Sequence, residues 1–135
     1  MKKNDLEWSG ADAKFIEALL LATGGEGGAN LQDVLLMVDA LDSSVLSLAE
    51  VEQAIQKLSA AGCLLVQKNK LMLTPAFVTE YETAVTAVPD ITDTERIQEL
   101  LNCYALSEAK IKEAREELKK YKLKNYYQQY QEQFG

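Results

Sequence analysis

The chain has no histidine, two prolines, two cysteines and one tryptophan among its 135 residues. It also has no apolar run near the roughly 20 residues that span a bilayer. Without histidine there can be no His-dependent triad or dyad, no histidine metal ligand and no ordinary neutral-pH proton shuttle. Carboxylate chemistry remains, and Asp39 with Asp42 and Glu113 with Glu116 each lie about one helical turn apart. Such pairs read as solvated helix faces. No catalytic residue is assigned, no cofactor or metal is implied, and the chain is not expected to be an enzyme. Cys63 and Cys103 stand where small buried hydrophobes fit, with no neighbouring cysteine that would suggest a metal site. Met1-Lys2-Lys3 leads into polar residues rather than a signal-peptide apolar segment, so a cytoplasmic location with no membrane association is expected.

What is present is enough for one ordinary core. Hydrophobic residues make up 47% of the chain, which argues against disorder. Ser47 and Glu50 form a capping box, and Leu48, Val51, Ile55 and Leu58 follow at spacings of three and four. Gly62 is suited to stop that helix in the left-handed conformation. Leu64 and Val66 alternate toward one face, Lys68-Asn69-Lys70 turn the chain, and Leu71 and Leu73 alternate back, as in a small hairpin. Thr74-Pro75 restarts a helix with Phe77, Tyr81 and Val85 on one stripe. Upstream, Phe15, Ile16, Leu19 and Leu20 suit a first helix. Asn30 can cap a second carrying Leu31, Val34, Leu35, Val38 and Leu41. Trp8 either staples the N-terminal segment to the domain or meets another chain, and the intramolecular role is favoured.

Between the first two helices, Gly24-Gly25-Glu26-Gly27-Gly28 superficially suggests a phosphate loop. The lysine of such a loop is missing and Glu26 would repel an anion, so a flexible connection is expected.

In this order of elements the chain resembles the winged-helix superfamily, most closely bacterial repressors of the MarR and PadR type. The residues that carry the resemblance are Leu58, Gly62, Leu64, Leu73, Thr74 and Pro75, and it covers roughly residues 11 to 88. The resemblance implies a mainly α protein with a small β-hairpin: an N-terminal segment at 1–10, a winged helix-turn-helix domain at 11–89 and a C-terminal helical extension at 90–135. It also implies that the helix before the wing enters a DNA groove. The outward candidates are then Ala49, Glu50, Gln53, Gln56 and Lys57, with Lys68 and Lys70 on the wing.

Charge runs against that implication. Up to Gly62 the chain has four lysines, no arginine and ten acidic residues, a net deficit of six. DNA affinity rests largely on phosphate neutralisation, which needs the opposite sign.

Val88-Pro89-Asp90 marks a boundary. Beyond it, Thr92 and Glu95 offer another capping box, and Ile97, Tyr104, Ile111 and Leu118 fall seven apart, with Leu100, Ala114 and Tyr121 on the adjacent seam. An unbroken helix from 94 to 130 would be about 55 Å long and would need a partner for its stripe. Pairing with a second copy, giving a homodimer through Ile97, Leu100, Tyr104, Ile111, Leu118 and Tyr121, is the favoured arrangement. In the other, Ser107 caps a separate helix that folds back. Lys110 to Lys124 contains seven basic residues against three glutamates, followed by Tyr126, Tyr127 and Tyr130. Basic residues among aromatics suit single-stranded nucleic acid, but helix-dipole and packing roles account for the same residues and are favoured.

Two functions follow. The favoured one is a non-enzymatic winged-helix regulatory protein acting through protein contacts or self-association. The alternative is a dimeric, sequence-specific regulator that binds double-stranded DNA through Gln53, Gln56, Lys57, Lys68 and Lys70.

Overall fold

The computed structural model describes residues 8–24, 27–42, 46–67, 70–119 and 123–134. Seven helices and one hairpin follow in order among them: α1 (Gly10–Thr23), α2 (Leu31–Asp42), α3 (Leu48–Ala60), β1 (Leu64–Gln67), β2 (Lys70–Leu73), α4 (Pro75–Ala87), α5 (Asp93–Asn102), α6 (Glu108–Leu118) and α7 (Leu123–Phe134). The protein is mainly α with a small antiparallel hairpin, an arrangement compatible with a winged helix.

Helix starts fall where short polar side chains can satisfy free main-chain N–H groups. Asn30 Oδ1 accepts from Asp33 N at 2.9 Å, and Ser47 and Glu50 exchange bonds of 3.1 and 2.9 Å. Thr92 Oγ1 accepts from Glu95 N at 3.1 Å, and Ser107 caps α6. Gly24 and Gly62, at φ 67° and 82°, end α1 and α3 in the conformation that side chains disfavour.

The hairpin pairs Leu64 with Leu73 and Val66 with Leu71. Leu64 and Leu71 are fully buried, whereas Leu65 on the other face is exposed. Ala29 bridges to Leu71 through reciprocal N–H···O bonds of 2.9 and 2.8 Å, so the connection after α1 is stitched to β2. Gly28 permits this approach: a Cβ there would stand 3.0 Å from Lys70 Cβ and 3.3 Å from Leu71 O. The glycine-rich connection expected to be flexible is therefore pinned at its far end, while Gly25 and Glu26 lie outside the described residues.

The core gathers Phe15, Ile16 and Leu19 of α1, Leu31 and Leu35 of α2, Ile55 and Leu58 of α3, and Phe77. The expected stripe on α4 is only partly used, since Phe77 is buried, Tyr81 is half-buried and Val85 is exposed. The extension does not run as one helix. The chain turns between α5 and α6, and α5, α6 and α7 pack on α1, α3 and α2 respectively. Ile97 and Ile111 belong to the stripe expected to form a seam between subunits. Ile97 is fully buried and Ile111 nearly so within the chain, because each short helix lays its own stripe on the domain.

Arg96 fixes the boundary at Pro89. Its guanidinium donates to Asp93 Oδ1 at 2.7 Å and to the main-chain oxygens of Val88 and Ile91 at 2.8 and 3.3 Å. Among the described residues no helix is long and apolar enough to cross a membrane.

Candidate functional site

The helix before the hairpin, α3, carries most of the outward candidates. Its apolar residues Val51, Ala54, Ile55 and Leu58 are buried, while Ala49, Glu50 and Gln53 are exposed. Lys57 is the exception to the expected outward face. It is buried, with its Nζ 2.6 Å from Asp12 Oδ2 and side-chain exposures of 5% and 1% for the two residues. The same carboxylate oxygen accepts from Ser9 N at 2.8 Å and Ser9 Oγ at 3.2 Å, which fixes its position at the start of α1. Lys57 Nζ also lies 6.0 Å from the centre of the Trp8 ring. Two charges removed from water this fully persist only when paired and hydrogen-bonded. Lys57 thus clamps α3 to α1 and is not presented to a nucleic acid in this arrangement.

Above the clamp lies a partly open cleft of about 240 Å³, lined by Trp8, Ser9, Asp12, Glu50, Gln53 and Lys57. Trp8 Nε1 donates to the main-chain oxygen of Tyr104 at 3.0 Å, so the tryptophan ties the N-terminal side to the turn after α5. The cleft brings Gln53 and Lys57 of the expected set together, but with carboxylates rather than with further cations. Among the described residues no group of three His, Cys, Asp or Glu is placed to hold a metal ion.

The remaining candidates are dispersed. Gln56 is half-buried beneath α6, its Oε1 accepting from Arg115 Nε at 3.4 Å. Lys70 is exposed at the start of β2, and Lys68 lies outside the described residues. Of the heptad set, Leu100, Tyr104 and Leu118 are half-buried and packed against the core, and Tyr121 lies outside the described residues.

The basic character of the C-terminal region is not concentrated on α6. From 108 to 119, Lys110, Lys112, Arg115 and Lys119 are matched by Glu108, Glu113, Glu116 and Glu117. Glu116 pairs with Lys119 at 2.9 Å.

α7 closes the other side. Tyr127 donates through its hydroxyl to the main-chain oxygen of Leu46 at 2.6 Å, and Tyr130 is buried beside it. Burial raises the phenol pKa of both, with the Glu50 charge adding to the rise at Tyr127 and the Asp39 charge at Tyr130. An open hollow lined by Ser47, Leu48, Tyr127, Gln128 and Gln131 marks the seam between α3 and α7.

Near the hairpin, burial pushes the Cys63 thiol up to about 12, assisted by the Glu80 charge. Tyr104, whose hydroxyl donates to Glu80, is raised as well, first by burial and then by that bond. A thiol held neutral in this way is a packing group and a poor nucleophile. Cys103, by contrast, is exposed, which corrects its expected burial: it falls at the C-cap of α5, where the helix turns outward.

Asp12, Arg115 and Tyr127, which organise this surface, were not among the expected site residues. The local signal at Asp12 is its place three residues after Ser9, a capping-box spacing. Nothing local pairs it with Lys57.

The chain matches no protein-family model, no curated protein and no solved structure. The fold itself defines the class: a mainly helical protein with a small antiparallel hairpin.

Proposed function

We propose that this is a non-enzymatic, cytoplasmic regulatory protein of winged-helix architecture that acts through protein contacts or self-association. The observation carrying the proposal is the state of α3. Lys57 is buried against Asp12, Gln56 lies under α6, and Glu50 remains among the exposed residues of the helix. A helix reading DNA must bring donors and cations to base edges and phosphates, and this one presents a carboxylate instead. The DNA-reading alternative rests on exposed Gln53 and Lys70, together with Lys68.

Fluorescence anisotropy with mixed genomic duplexes separates the two readings. At about 50 mM salt, where phosphate-driven binding is enhanced, the protein-contact reading expects no saturable binding at tens of micromolar. Saturable binding that weakens steeply with added salt, and that Lys68→Glu with Lys70→Glu diminishes, would overturn it.

A further inference from the structure

α4 is a helix with little to hold it inside the chain. Five of its thirteen residues are the β-branched Val78, Thr79, Thr83, Val85 and Thr86, which favour a helix less than alanine or leucine do. Its stability must therefore come from packing. Yet Phe77 is its one buried residue, and from Glu82 to the C-cap at Val88 only Ala84 is even half-buried.

The uncovered surface is apolar and held in place. Val78, Tyr81, Val85 and Val88 follow at spacings of three, four and three, which brings them onto one face. Val78 and Tyr81 are half-buried, whereas Val85 and Val88 are 37% and 46% exposed. The Tyr81 hydroxyl donates to Asp93 Oδ1 at 3.0 Å, and the main chain at Val88 is held by the Arg96 guanidinium. A face fixed in this way loses little freedom when a partner covers it.

Charge decides the kind of partner. Between Lys70 and Lys110 the chain has seven acidic residues and one basic one, Arg96, which is 4% exposed and bonded to Asp93 and the main chain. Glu82 stands within the stripe, four residues after Val78 and three before Val85, and Asp90 follows two residues after Val88; both are exposed. A second copy paired through this face would bring the same carboxylates against them, and like charges facing each other across an interface are costly. Nucleic acid and an anionic lipid surface have the same unfavourable sign.

We infer that the exposed face of α4, from Val78 to Val88, docks a basic amphipathic helix of a partner protein. The apolar side of that helix covers Val85 and Val88, and its lysines or arginines meet Glu82 and Asp90. The inference rests on the protein-contact reading proposed above and names the chemistry of the partner.

The test titrates the full-length protein into a labelled synthetic amphipathic peptide, with leucine at spacings of three and four and lysine at the flanking positions, and follows fluorescence anisotropy. Saturable binding is expected, and the same peptide with glutamate for lysine should not bind. Val85→Ser with Val88→Ser should weaken binding about tenfold by removing apolar contact. Glu82→Lys with Asp90→Lys should weaken it about tenfold as well, through two reversed charges. Glu117→Lys with Glu132→Lys makes the same change of net charge at exposed positions of α6 and α7. It should cost about twofold at most, the part that net charge alone exerts at physiological salt. All these positions are exposed, and circular dichroism checks that each variant is folded. No saturable binding by the lysine peptide, equal loss in the two charge-reversed proteins, or binding indifferent to the two serines overturns the inference. A dimer in sedimentation that Val85→Ser with Val88→Ser dissolves would also overturn it, by assigning the face to a second copy. These results strike only the α4 face, since the protein-contact reading falls on a different one, salt-sensitive duplex binding.

Discussion

Replacing Lys57 by methionine keeps most of the side-chain volume and removes the charge, which makes Lys57→Met a direct measure of the clamp between α1 and α3. Asp12 would be left 1% exposed without its cation, while keeping its two bonds from Ser9. Breaking a buried pair by removing one partner costs about 3–5 kcal/mol, and the retained Ser9 bonds place this case near the lower end, at about 3 kcal/mol. With a urea slope of about 2 kcal/mol/M, the unfolding midpoint should fall by about 1.5 M. Asp12→Leu combined with Lys57→Met should recover most of the loss, since a well-packed apolar pair can match a buried ion pair. Equilibrium urea unfolding followed by Trp8 fluorescence and by circular dichroism supplies the four corners of the cycle. A Lys57→Met midpoint within 0.3 M of the parent (about 0.6 kcal/mol at that slope), or a double variant no more stable than the single, would refute the reasoning. It would mean that the lysine is solvated and again available to an external anion.

Four further outcomes are expected. Gly28→Ala should destabilise by about 1–2 kcal/mol in the same assay, because its Cβ would press on Lys70 Cβ and the Leu71 carbonyl and force the hairpin away. Tyr127→Phe should cost about 1–2 kcal/mol by leaving the Leu46 carbonyl unpaired, and should speed hydrogen exchange in α7 before the rest of the chain. A thiol reagent at pH 8 should label Cys103 in the folded protein and Cys63 only on unfolding. Because the Cys63 thiol is raised from 9.0 to about 12, the stability it contributes is whole below pH 9 and is lost as the pH climbs toward 12. Urea midpoints that stay flat over that interval would contradict this.

Features with a local cause could be read from the sequence. Asn30, Ser47, Thr74, Thr92 and Ser107 each precede a helix because the interactions that start a helix lie within three residues of the cap. The hairpin followed from alternation and from Gly62. Lys57 was misread because periodicity assigns a polar residue to solvent unless a partner is known, and its partner is 45 positions away. The seven-residue spacing of Ile97, Tyr104, Ile111 and Leu118 misled differently. Consecutive short helices laid on one surface also repeat their buried positions at such intervals, so the spacing did not distinguish one long helix from several. Ser107 did mark one of the breaks. Between α6 and α7 the sequence has neither glycine nor proline, so nothing local marked the end of α6 at Leu118.

The covering of α3 also sets a quantitative condition on its partners. For α3 to present the face that α6 covers, which includes Gln56, α6 must lift away, exposing Ile111 and Ala114, which are 5% and 8% accessible, and half-buried Leu118. At about 25 cal/mol per Å² of apolar surface, that exposure costs about 3–4 kcal/mol, or a few hundred-fold in affinity. Polar, negatively charged DNA offers nothing to cover those side chains. The same displacement by an amphipathic protein helix replaces one apolar face with another and recovers most of the cost. A partner that displaces α6 is therefore expected, under the protein-contact reading proposed above, to be an amphipathic helix rather than a nucleic acid.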